Sequence, residues 1–251
     1  MRNPHGSFIW YELLTSDTES ASRFYADVLG WQSTPADGEI AGYRILTHGK
    51  DGVGGMMQAP DGVRPGWLGY IGVDDVDAAV AGITAAGGSL QMPARDLANV
   101  DRIAMVADPQ GAPFYVMRGA IDQPSTCFDA DAIGHCAWNE LATRDLDAAV
   151  EFYAGQFGWQ RGEQLPMGEP GGYQLMLLGD KPFGAMMART GDMPPMWNFY
   201  FRVAAIGPAA QRVRDGGGAI LHGPATVPGG DQIVIGTDPQ GAVFALVGKP
   251  G

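Results

Sequence analysis

The sequence repeats itself. The segment at 6–31, GSFIWYELLTSDTESASRFYADVLGW, returns 128 residues later at 134–159 as GHCAWNELATRDLDAAVEFYAGQFGW, with 12 of 26 positions identical. Unrelated segments of that length share about one or two, and so long a period marks duplicated domains rather than a solenoid. The register then slips by two residues, through one loop insertion. At the new offset of 130, Tyr43 pairs with Tyr173, Met56-Met57 with Met186-Met187, Trp67 with Trp197, and Asp108-Pro109-Gln110-Gly111-Ala112 with Asp238-Pro239-Gln240-Gly241-Ala242. One domain is written twice, over 1–118 and 133–251. The stretch GAIDQPSTCFDAD breaks the pattern and carries Pro, Ser and Asp, so a linker is expected at 119–132.

Each copy reads as strand, helix, then short strands. Residues 7–14 alternate as a strand does, Asp17 stands at a helix N-cap position, and Ala21, Phe24, Tyr25, Val28 and Leu29 form an apolar stripe that Gly30 stops. Asp145, then Ala149, Phe152, Tyr153 and Phe157, then Gly158 repeat that grammar. Short strands are expected near 41–47, 53–58 and 67–73, and a second helix over 75–86 that ends at Gly87-Gly88. Its Val76-Asp77-Ala78-Ala79-Val80 echoes Leu146-Asp147-Ala148-Ala149-Val150, so each domain reads as internally doubled. Four β-α-β-β-β modules result.

Composition limits what such a chain can meet. Hydrophobic residues make up 45% and charged residues 18%, which suits a globular core, and no apolar run approaches the roughly 20 residues of a membrane helix. The net charge of -12, with lysine only at Lys50, Lys181 and Lys249, repels nucleic acid and anionic membranes. The expected partner is a small molecule, neutral or cationic, with monomer and homodimer both open. Cys127 and Cys136 have no metal or redox spacing and the N-terminus lacks an apolar signal region, so a reducing cytoplasm is expected. Phosphate-cradling glycine motifs and a G-x-S-x-G elbow are absent from the sequence.

The order of Thr-x-Asp, a helix carrying Phe-Tyr, Gly-Trp, and a closing Asp-Pro-Gln-Gly-Ala-x-Phe, met twice, resembles the vicinal oxygen chelate superfamily. That superfamily includes glyoxalase I, bleomycin-resistance proteins and extradiol dioxygenases. The resemblance implies an α+β fold of two tandem glyoxalase-like domains, each of two β-α-β-β-β modules forming an incomplete barrel. In metal-dependent members the ligands are His, Glu or Gln on inward positions of the first and last strands. The resemblance places their equivalents at Trp10, Gly55 or Met56, Trp67 or Leu68, and Tyr115. In the second copy they fall at Trp138, Ala185 or Met186, Trp197 or Asn198, and Ala245. None suits a divalent cation, so no cofactor is expected, a divalent metal being the alternative.

Glu12 and Glu140 each lie two residues beyond a repeated tryptophan and therefore share its strand face. A carboxylate among apolar neighbours needs a partner. It is either a ligand-anchoring acid or general base, or a structural acid bonded to backbone amides or to an arginine such as Arg44. His135 points to the face opposite Trp138 and reads as a histidine bonded at the strand's start; His48 reads as a turn residue. The identical Asp-Pro-Gln-Gly segments read as turns in which Asp caps locally. The expected function is glyoxalase-like binding of a small organic molecule in concave aromatic cups. Their walls are Trp10, Glu12, Tyr43, Met57, Trp67, Tyr115, Trp138, Glu140, Tyr173, Met187 and Trp197. The alternative is an enzyme, a lyase, hydroxylase or dioxygenase acting on a small oxygenated metabolite.

Overall fold

A computed structural model describes residues 3–37, 40–97, 101–119, 123–166, 172–189 and 194–251. It contains the four expected modules. The first is β1 (Phe8–Thr15), α1 (Thr18–Leu29), β2 (Gln32–Pro35), β3 (Arg44–His48) and β4 (Asp51–Gln58). The second is β5 (Gly66–Gly72), α2 (Val76–Ala85), β6 (Ser89–Leu97), β7 (Asp101–Ala107) and β8 (Pro113–Gly119). The third is β9 (Cys136–Thr143), α3 (Leu146–Phe157), β10 (Gln160–Pro166), β11 (Gly172–Leu178) and β12 (Lys181–Ala188). The fourth is β13 (Met196–Ala205), α4 (Ile206–Asp215), β14 (Ala219–Thr226), β15 (Gln232–Thr237) and β16 (Val243–Lys249).

These strands form two eight-stranded sheets of identical order, β2-β3-β4-β1-β5-β8-β7-β6 and β10-β11-β12-β9-β13-β16-β15-β14. Trp10 on β1 and Trp138 on β9 thus occupy equivalent strands, as the duplication requires. The fold is α+β with two glyoxalase-like domains, and neither sheet closes into a barrel. Strand β2 escaped the sequence reading because QSTP is four residues long, largely exposed and without apolar alternation. No helix among the described residues is long and apolar enough to cross a membrane.

The helices begin and end where the sequence expects. Asp17, Asp75 and Asp145 each accept a hydrogen bond from a first-turn amide, those of Ser20, Ala78 and Ala148. Gly30 and Gly158 close α1 and α3 at φ 73° and 68°, the left-handed region that glycine enters without strain.

Packing groups the modules into two compact units: one holds residues 10–68, 126–138 and 198–251, the other 1–9, 69–125 and 139–197. The first–fourth unit joins modules one and four. There α1 meets α4, and the Phe24 ring rests where a Cβ on Gly216 or Gly218 would come within 2.9 and 3.0 Å of it. The second–third unit joins modules two and three. There α2 meets α3 at Gly82, where a Cβ would lie 2.8 Å from Gln156 Oε1.

Within each unit the helix tyrosine is fastened to the Asp-Pro-Gln-Gly turn. In the first–fourth unit the Tyr25 hydroxyl donates to Asp238 Oδ2 at 3.2 Å and accepts from Trp67 Nε1 at 3.0 Å. In the second–third unit Tyr153 donates to Asp108 Oδ2 at 3.2 Å and accepts from Trp197 Nε1 at 3.1 Å. The other oxygen of each aspartate accepts the turn's own amides, those of Gln110 and Ala112 or of Gln240 and Ala242. The turn therefore does more than cap itself: it presents a carboxylate to a helix three modules away in sequence or one. Gln110 adds a second clasp, accepting from the Asp145 amide at 2.8 Å and donating to the Asp145 carbonyl at 2.7 Å at the head of α3.

The glycine that opens each repeat is explained by the tryptophan that ends it. Trp159 Nε1 donates to Gly6 O at 2.8 Å and Trp31 Nε1 to Gly134 O at 2.7 Å. Gly6 and Gly134 stand at φ 86° and 81°, and a Cβ on Gly6 would approach Phe157 O to 2.6 Å.

Two outcomes are expected. Tyr25→Phe and Tyr153→Phe each strand a buried carboxylate and indole N–H, and should cost about 1–3 kcal/mol in chemical denaturation. Burial pushes Asp108 and Asp238 above the ordinary carboxylate range, so the folded state holds their protons more tightly than the unfolded one. The stability this confers is complete below the unfolded pKa near about 4 and is lost as pH rises through the folded value. The denaturation free energy of the protein relative to the Asp108→Asn/Asp238→Asn variant should therefore be greater at about pH 4 than at about pH 7.

Candidate functional site

Strand β1 lies parallel to β4 in a register that sets Glu12 beside Gly55 and Leu14 beside Met57. Alternation puts Trp10, Glu12 and Leu14 on one face, with Gly55 and Met57 on the same face of the neighbouring strand. Glu12 is buried, at 2% exposure, while Trp10, Tyr43 and Met57 are half-buried above it. Trp10 Nε1 donates to the Tyr43 hydroxyl at 2.8 Å, and that hydroxyl donates to Glu12. Burial first, then the charge of Glu12, holds the Tyr43 phenol well above its ordinary pKa, so it stays a donor. Cys127 lies nearby, its thiol donating to Gly52 O at 3.2 Å.

The second–third unit carries the same pairing. Glu140 on β9 is buried at 6% exposure and lies beside Ala185 on β12. The Tyr173 hydroxyl donates to Glu140 Oε2 at 2.8 Å, and Tyr173 is in register with Met187 across β11 and β12. In both copies, then, a buried carboxylate is met by the tyrosine that the repeat pairs at offset 130. The expected partner Arg44 is engaged elsewhere: it donates to Ser33 Oγ at 2.7 Å and to Ser33 O at 3.0 Å, and lies 3.6 Å from Glu19. Ser33 lies on β2, the strand that the sequence reading lacked, where it pairs with Leu46 while Arg44 pairs with Pro35.

The other expected wall residues divide. Trp67 and Trp197 are corrected to core positions: each is buried and commits its indole N–H to a helix tyrosine, and Trp67 packs edge-on against Tyr25 and Trp31. Trp138, half-buried, packs against Ala137, Tyr200, Ala245 and Val247 in the first–fourth unit. Tyr115 on β8 stacks on Tyr70 of β5, with ring centroids 4.2 Å apart and planes 12° apart. Tyr70 and Tyr200 were missed by sequence reasoning. They stand at the repeat offset of 130, three residues beyond Trp67 and Trp197 and so on the opposite strand face.

His135 is bonded at the start of its strand as expected, whereas His48, expected in a turn, is the last residue of β3. His135 is buried with Nδ1 2.7 Å from Thr126 O, and His48, at the end of β3, sits 6.3 Å from it, ring to ring. Cys136 is buried on β9, and desolvation pushes its thiol up to about 12, an inert state.

Comparison with known proteins agrees with this geometry. Residues 132–246 match the model of the Glyoxalase/Bleomycin resistance protein/Dioxygenase superfamily, and residues 11–117 match that of a glyoxalase-like domain. The provisionally named glyoxylase CFP32 of Mycobacterium tuberculosis is 30% identical over 249 residues, 96% of this chain and 94% of that one. The anthracycline biosynthesis protein DnrV of Streptomyces peucetius is 27% identical over 265 residues, 96% and 93% of the two chains. In three dimensions the Mn(II)-bound glyoxalase of Novosphingobium aromaticivorans superposes with a TM-score of 0.68 at 17% identity, over 98% of this chain and 83% of that one. The chain belongs to the glyoxalase/bleomycin resistance/dioxygenase superfamily.

A metal such as that neighbour holds does not fit the positions the family would use. They carry indole, phenol, thioether or alkyl groups, glycine and one carboxamide at Asn198, too few oxygen or imidazole donors to hold Mn(II) or Zn(II). Among the described residues no three His, Cys, Asp or Glu side chains cluster. Glu12 is the acid of β1 and Glu140 that of β9, and each is joined by a tyrosine.

Of the eight tyrosines, Tyr25, Tyr43 and Tyr153 are held above the ordinary phenol range, each by burial first and a carboxylate second. An alkaline titration followed by phenolate absorbance should show these three ionising only as the fold is lost, and Glu12→Gln should release Tyr43 to ionise earlier.

Proposed function

We propose that the chain binds a small organic molecule through Glu12 and Glu140, each on the tryptophan-bearing face of its strand, without the family's metal. The observation that carries this reading is the pairing of a buried carboxylate with a tyrosine hydroxyl in both copies. An isolated carboxylate in such surroundings is costly, and a hydroxyl or ammonium donor on a ligand meets the same need as the tyrosine does. The net charge of -12 favours a neutral or cationic ligand. A relative named for anthracycline biosynthesis favours a planar aromatic one, which Trp10 or Trp138 would stack against for roughly 0.5 to 2 kcal/mol. The enzymatic alternative, a lyase, hydroxylase or dioxygenase acting on a small oxygenated metabolite, draws on family membership alone. Both cysteines are buried thiols, which fits a reducing cytoplasm.

Tryptophan fluorescence during titration with a panel of phenolic and amine metabolites tests the reading. At least one compound should bind, Glu12→Gln or Glu140→Gln should weaken it roughly tenfold, and elemental analysis should find less than about half an equivalent of Mn, Fe, Ni or Zn. Unchanged affinity in both variants, together with a melting temperature several degrees lower, would mark the carboxylates as structural and end the proposal.

A further inference from the structure

Strand β4 carries a glycine where its repeat carries alanine, and the difference has a specific neighbour. A Cβ built on Gly55 would overlap the hydroxyl oxygen, Cζ and Cε1 of Tyr43, whereas Ala185 occupies the same place beside Glu140 and leaves Tyr173 bonded. Gly55 is not in a left-handed conformation, so nothing in the backbone asks for glycine there. What asks for it is the phenol of Tyr43, which lies flat over the bare Cα and reaches Glu12 on the adjoining strand. A Cβ built on Gly52, two positions before the pair at Gly54-Gly55, would meet the Trp10 ring at 3.7 Å, an ordinary contact, so the overlap is particular to Gly55.

The Tyr43 hydroxyl is used on both sides, accepting from Trp10 Nε1 and donating to Glu12. Tyr43 precedes β3 rather than lying within it, and it is half-buried, while the carboxylate it covers is almost fully buried. An aromatic ring with a hydroxyl donor thus already occupies the place beside Trp10 that a planar ligand with a hydroxyl or ammonium donor would take. We infer that Tyr43 is an internal occupant of the Glu12 site, seated by Gly55, which a phenol- or amine-bearing ligand must displace by turning its side chain out. This rests on the binding reading above. Tyr43 holds the carboxylate satisfied when ligand is absent, and it sets a threshold: compounds that offer Glu12 a weaker donor than a phenol do not enter.

Tyramine, which joins a phenol to a primary ammonium, is the probe, titrated into the full chain in a Glu140→Gln background so that the Glu12 site is read alone. Tyr43→Phe keeps the ring and removes the competing hydroxyl, and Gly55→Ala evicts the ring while keeping Glu12 and Trp10. Both should bind tyramine roughly tenfold more tightly than the background protein. The indole N–H resonance of Trp10, assigned with Trp10→Phe, should move in the same direction on Gly55→Ala substitution as on saturation with tyramine, because each breaks its bond to Tyr43. Equal or weaker affinity in both variants, no tyramine binding to either, or a Trp10 resonance unmoved by saturating tyramine overturns the inference. Adding Glu12→Gln separates the two ideas. Loss of binding on that substitution with no gain from Tyr43→Phe removes the occupant alone, whereas full affinity despite Glu12→Gln removes the binding reading itself.

Discussion

The bond from a helix tyrosine to a turn aspartate organises each packing unit. Tyr25 and Tyr153 are fully buried, so their hydroxyls need both a donor and an acceptor, and they find a tryptophan and a carboxylate on other elements. The aspartate is equally constrained, since its remaining oxygen already closes the Asp-Pro-Gln-Gly turn. Moving the helix would therefore unsatisfy three groups at once, and the low dielectric around them makes each loss expensive. Tyr25, Trp31, Trp67 and Phe201 pack around one such bond, and Tyr153, Trp159, Trp197 and Phe8 around the other. The helix stripe Phe-Tyr and the closing turn are thus two ends of one interaction, which is why they travel together in both copies.

The strand that bears Glu12 or Glu140 shows a different use of the same chemistry. Here the buried acid is met by a tyrosine of its own module. The position two residues earlier, where metal-dependent members place a ligand, holds an indole. An indole N–H can donate but cannot coordinate a cation.

Much of this was legible before any coordinates. The offsets of 128 and 130 predicted equivalent strands for Trp10 and Trp138, and Asp17, Asp145, Gly30 and Gly158 marked the helix ends correctly because capping is a local matter. The pairing of Tyr43 with Tyr173 was visible as a repeat, but not that both reach a glutamate, since that contact joins segments that no local pattern pairs. Trp67 and Trp197 went to the core rather than to a wall because strand alternation fixes opposite faces without saying which face a helix covers. Tyr70 and Tyr200 then take the other face. The partnership of Asp108 with Tyr153 joins residues 45 apart, and that of Asp238 with Tyr25 residues 213 apart, distances over which no local pattern carries information.

The interleaving of modules bears on how the protein is made. Residues 10–68 complete their packing against 198–251, so α1 and its apolar stripe leave the ribosome long before α4 and the turn carrying Asp238 exist. Modules two and three, adjacent in sequence, have no such wait. Folding during synthesis therefore proceeds from the middle of the chain outward: the middle of the sequence can consolidate first, while the first module stays open with Phe24, Tyr25 and Trp31 unshielded until the last module arrives. A chain stalled or truncated before about residue 240 would present that apolar surface to chaperones and proteases, however intact its central modules.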